Sequence, residues 1–129
     1  MVHEFYAVIY PVRVWVVIGD DVSSLNEAFT RYPGGSSFNE YENDDVICAH
    51  TSMVRYRDSG NIGVAIIFHR REDMIMKYIV HESVHAASCI WSHIGEVDIA
   101  DEANAYLTGW IAQCCEEARN NKLKKAELV

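Results

Sequence analysis

The stretch that most limits what this chain can fold into is YIVHESVHAASCIW, residues 78–91. Ile79, Ala86 and Ile90, with Ile75 just before them, recur at the three- and four-residue spacing of a helix that buries one face. The periodicity predicts a helix from about Glu72 to about His93, broken by Gly95, and a second from about Val97 to about Lys125. In the second, Ile99, Ala103, Tyr106, Trp110 and Cys114 form the expected core stripe, widened by Ala100, Leu107, Ile111 and Ala118.

Everything upstream reads as strand, turn or loop, apart from one short helix. Phe5–Tyr10 and Val12–Ile18 are β-like runs divided by Pro11. DDVSSLNEAFTRYPGG predicts a short helix capped by Asp21 or Ser23 and ended at Pro33, and the polar SSFNEYENDD reads as a surface loop. Val46–Arg57 and Ile62–His69 flank DSGN as the arms of a β-hairpin. The 129 residues, half of them apolar, suffice for one core, so an α+β fold in a single domain over 1–129 is expected.

Charge and cysteine usage narrow the partners. With 11 Lys+Arg against 19 Asp+Glu the net charge is −8, and the only basic cluster is Lys122, Lys124 and Lys125. That balance argues against nucleic acid, whose phosphates must be neutralised by cations. Cys48, Cys89, Cys114 and Cys115 contain no C-x-x-C, and an adjacent pair on a helix is a poor disulfide framework, so reduced thiols in the cytoplasm are expected. His3, Glu4, Pro11 and Arg13 interrupt the apolar opening, so neither a signal peptide nor a membrane span is expected there, and no membrane partner.

The polar residues of the opening stretch carry the chemistry. His81, Glu82 and His85 form H-E-x-x-H. On a helix that spacing sets the imidazoles about 40° apart around the axis and about 6 Å along it, so both can reach one metal ion. Glu82 lies about 100° round from His81, placed to flank the ion and take a proton from water rather than to bind metal. Zinc suits such donors because it accepts imidazole and carboxylate and keeps a position for water. A third protein ligand is needed. His93 lies eight residues beyond His85 on the same helix, too far to share the ion, which leaves Asp98, Asp101 and Glu102.

HESVHAA followed by DEANAYLTGWI resembles the gluzincin class of zinc metallopeptidases, and within it the ImmA/IrrE-like and other minimal members, over residues 62–112. The resemblance implies a zincin-like fold: a small β-sheet with a hairpin packed on an active-site helix, and a following helix that bears a glutamate. It implies Zn2+ held by His81, His85 and Glu102, with Glu82 as the general base of peptide-bond hydrolysis on a peptide or protein substrate. The segment after Tyr106 departs from the ImmA/IrrE pattern, and an intracellular or phage-type peptidase is as narrow as the resemblance becomes. Counting outward from Gly95 in an antiparallel helix pair also favours Glu102, and gives Asp98 a capping or supporting role. His50, His69, Tyr56 and Tyr106 are the candidates to stabilise an oxyanion. The competing expectation is a zinc-binding regulatory or interaction module of the same fold without turnover.

Overall fold

The computed structural model of the chain describes residues 1–41 and 48–120. Part of the loop expected at 36–45, the start of the hairpin at Val46 and the lysine cluster at 122–125 lie outside the described residues. Five strands form one mixed sheet in the order β1-β2-β5-β4-β3. They are β1 Val2–Tyr6, β2 Arg13–Ile18, β3 Phe29–Arg31, β4 Ala49–Tyr56 and β5 Ile62–Phe68. β2 runs parallel to β5, and the other neighbours are antiparallel. Three helices complete the described fold: α1 Val22–Ala28, α2 Met76–Ile94 and α3 Asp101–Arg119. The α+β class is as expected.

β2 and β5 are almost uniformly apolar because both faces of the sheet are covered. Val14, Val16 and Ile18 of β2 join Val64, Ile66 and Phe68 of β5 beneath α2 and α3. Trp15, Val17, Ala65 and Ile67 point the other way, into a second core with Leu25, Phe29, Phe38 and Val54. The period of two along a strand thus divides one run of residues between two cores. Phe38 is fully buried, so the segment expected as a polar surface loop contributes an anchor to that second core.

Local chemistry sets the element ends. Asp21 caps α1, its carboxylate accepting from the Ser24 N–H at 2.8 Å. The helix stops at Ala28 rather than at Pro33, because Phe29–Arg31 leave it to pair with β4. The β4–β5 hairpin closes through Gly60 at φ +74°. α2 begins at Met76, later than the Glu72 expected, because Arg71–Asp73 form a 3-10 turn in which Asp73 is paired with Arg70. It ends at Gly95, whose left-handed φ of +82° lets its N–H reach the Trp91 and Ser92 carbonyls.

α3 starts at Asp101, not Val97, with Ala100 at its N-cap and no side-chain cap. Asp98 therefore lies outside the helix and does not cap it, while Asp101 and Glu102 occupy the first turn, where the helix dipole favours anions. The core face of α3 is Leu107, Ile111, Cys114, Cys115 and Ala118. Tyr106, expected in the stripe, is 74% exposed because that face is centred one residue further on. Among the described residues no helix is long and apolar enough to cross a membrane.

Candidate metal centre

α2 lies over the sheet with Ile79, Ser83, Ala86 and Ile90 inward, a phase that leaves His81 and His85 on the exposed side. Their rings meet edge to face with centroids 4.7 Å apart, and the two Nε2 atoms are 3.1 Å apart. Two imidazoles on one tetrahedral zinc, each at about 2.0–2.1 Å, have nitrogens roughly 3.3 Å apart. The pair is therefore set close to the bite of a single ion, and its donor chemistry is the one zinc favours.

Glu82 sits at the edge of this exposed face and is only 6% exposed. Thr51, on β4, donates from Oγ1 to Glu82 Oε1 at 2.8 Å. The other oxygen, Oε2, lies 3.8 Å from His81 Nε2. One carboxylate oxygen is thus anchored by the sheet and the other is presented to the histidine pair. Thr51 faces α2 together with Ala49 and Met53, as alternation along β4 requires.

The third expected ligand is not brought to this place. Trp91 Nε1 donates to Asn104 Oδ1 at 2.9 Å, and Ser83 is hydrogen-bonded to the buried Cys115, whose thiol burial pushes up to about 12. These two contacts fix the register of α2 against α3. In it Glu102 is level with His93, eight positions beyond His85, or roughly 12 Å along the axis. The pivot of the antiparallel pair falls midway through the connection 95–100 rather than at Gly95, which is why counting from Gly95 placed Glu102 too near. By the same two contacts His85 is level with residues 110–113 of α3 and His81 with residues 114–117. Among the described residues, no three His, Cys, Asp or Glu side chains are grouped to hold a metal. Asp101, in the same turn as Glu102, faces a groove that also contains Ser88, Trp91 and Ser92 of α2.

No protein-family model, curated protein or solved structure matches the chain.

The four residues expected to stabilise an oxyanion all lie away from Glu82. His50 and Tyr56 belong to the face of β4 opposite Thr51: His50 stacks on Tyr41 at 4.0 Å, and Tyr56 packs against Trp15 and Phe29. His69 meets His50 edge to face on that same side, 6.3 Å away. Tyr106 projects from α3 into a separate groove shared with Ile9 and Trp110. The polar groups that do stand beside His85 are Tyr32, Ser88, Cys89, Ser92 and His93. Spacing singled out none of these for that place, because Tyr32 and Met53 reach the groove only through strand pairing distant in sequence.

His50 has a separate role in stability. Burial, followed by the charges of His69 and Arg31, lowers its pKa to about 4, with Glu40 opposing. Neither ring nitrogen has a hydrogen-bond partner among the described residues. The unfolded chain binds this proton near pH 6.5 and the folded chain only near pH 4, so the contribution is intact above pH 6.5 and is lost progressively as pH falls toward 4. His50→Phe is expected to remove on the order of 2 kcal/mol of acid sensitivity between those limits. Urea unfolding of both proteins at pH 7 and pH 4.5 measures it, and parallel losses in the two would refute the assignment.

Proposed function

We propose that the chain is a zinc-dependent metallopeptidase of the zincin type, with His81 and His85 as metal ligands and Glu82 as the general base. The observation that carries this reading is the pairing of two Nε2 atoms 3.1 Å apart with a buried carboxylate held by Thr51 and aimed at them. A structural helix has no need to bury a glutamate beside two exposed histidines. Desolvating a carboxylate is costly unless it is used or compensated.

A zinc ion held there would act as a Lewis acid, polarising a substrate carbonyl and making water acidic near neutrality. Glu82 Oε2 would take the proton from the attacking water and deliver it to the leaving amine nitrogen as the C–N bond breaks. Thr51 keeps Oε1 fixed, so the carboxylate does not rotate away between the two transfers. The resemblance in sequence assigns the third ligand to Glu102. In the register described above, that role requires the first turn of α3 to move toward the pair. Asp101 is the carboxylate already turned toward the groove beside Ser88.

The reading is tested by incubating the purified chain with a mixed peptide library before and after chelation. Cleavage is expected with zinc, lost with a chelator and restored by added zinc. Cleavage indifferent to chelation refutes it, and stoichiometric zinc without any cleavage supports the binding module instead.

A further inference from the structure

We infer that the groove between α2 and the β3–β4 edge is the specificity site for a large apolar side chain of a peptide substrate. The inference rests on the peptidase reading and names the substrate class of that same site. The groove is an open cleft of about 420 Å³ lined by Tyr32, Pro33, Met53, Cys89 and His93, with Ser88 and Ser92 along its rim and His85 as its wall on the metal side. That volume accommodates one large side chain and the backbone that carries it.

Three observations converge on this occupant. The first is composition: in a chain of charge −8 with 23% charged residues, the groove contains no Asp, Glu, Lys or Arg. It offers a charged substrate side chain no counter-charge among its lining residues, whereas Pro33, Met53 and the Tyr32 ring give an apolar one surface to cover. Arg55 approaches the Tyr32 ring at 5.6 Å, but its guanidinium also donates to the Gly60 carbonyl at 3.1 Å.

The second is continuity. His85 belongs both to the metal pair and to the groove wall, so a side chain seated in the groove is attached to a residue close to the carbonyl under attack. The third is shape. Tyr32 and His93 meet edge to face with centroids 5.7 Å apart, an aromatic end wall, and Met53 supplies an adaptable thioether at the base. Met53 stands two residues beyond Thr51 on the same face of β4, so one strand both fixes the base and shapes the groove.

The test separates binding from turnover by using the zinc-loaded Glu82→Gln protein. Acetylated tetrapeptide amides with a central Phe or Leu, Asp, or Gly are titrated against it by NMR. The Phe and Leu peptides are expected to bind about ten-fold or more tighter than the Asp and Gly peptides. They should perturb the Met53 methyl and Tyr32 ring signals.

Met53→Lys should weaken the apolar peptides about ten-fold and strengthen the Asp peptide. Ser92→Lys, at an exposed position on the rim that leaves the core untouched, should do the same. Equal affinities, no binding, or perturbations remote from Tyr32 and Met53 would overturn the inference. A wild-type protein that fails to cleave the peptides its Glu82→Gln variant binds would overturn the peptidase reading and leave the groove as a peptide-binding site alone.

Discussion

Glu82→Gln is expected to lower zinc-dependent peptide hydrolysis by about 10²–10⁴-fold, the range typical of a lost general base, with zinc affinity nearly unchanged. Glutamine keeps the shape of the carboxylate and can still accept from Thr51, but it cannot take a proton. Thr51→Val should fall between the variant and the wild type, because it leaves the carboxylate in place and removes the hydrogen bond that orients it. Thr51→Ser restores that donor and should restore most of the rate. Steady-state rates at matched zinc occupancy measure all three. A Glu82→Gln protein within a few-fold of wild type would remove Glu82 from the mechanism.

Gly63→Ala is expected to prevent folding or to cost more than about 4 kcal/mol, the upper end of single-site effects. Gly63 lies opposite Arg13 where β5 runs parallel to β2, and a Cβ there would overlap the Arg13 backbone carbonyl and come within 2.8 Å of its nitrogen. No side-chain rotation relieves that clash because the opposing atoms are backbone. Both cores depend on the β2–β5 pair, so the damage cannot stay local. Thermal unfolding by circular dichroism reads the effect, and a variant melting within a few degrees of wild type would show the pairing to be looser than described. Gly109, where an added Cβ meets nothing within 4 Å, is the matched control.

Much of this architecture was legible in local pattern. The α2 boundary at Gly95, the hairpin around residues 57–61 and the assignment of β2 and β5 as strands follow from turn residues and apolar runs. What escaped local pattern were features set by partners distant in sequence. Phe38 sits among polar residues, and it is turned inward by the pocket of Trp15, Leu25 and Phe29 and by Asn26, whose side-chain oxygen accepts from its backbone N–H. The α3 face was misjudged by one residue at Tyr106, because Ile99, Ala103 and Tyr106 offer a second apolar stripe almost as good as the one that packs.

The candidate site divides along the same line. His81, Glu82 and His85 belong to one helix, whose periodicity alone sets their relation. Thr51 and Met53 reach them across the hairpin, and nothing in their own neighbourhood singles them out. The position of α3 along α2 depends on the length of the connection and on the Trp91–Asn104 contact, so the level of Glu102 could not be counted from the turn.

The proposed metal centre stands or falls on whether His81 and His85 together hold one divalent ion. Calorimetric titration of the apo protein with zinc tests it most directly, run beside His81→Ala and His85→Ala and with Glu102→Ala and Asp101→Ala to locate the third ligand. One zinc per wild-type chain is expected, with loss of binding in each histidine variant and a rise in melting temperature with zinc only where binding survives. Unchanged stoichiometry and affinity in His81→Ala or His85→Ala, or no zinc bound by the wild type, would contradict it.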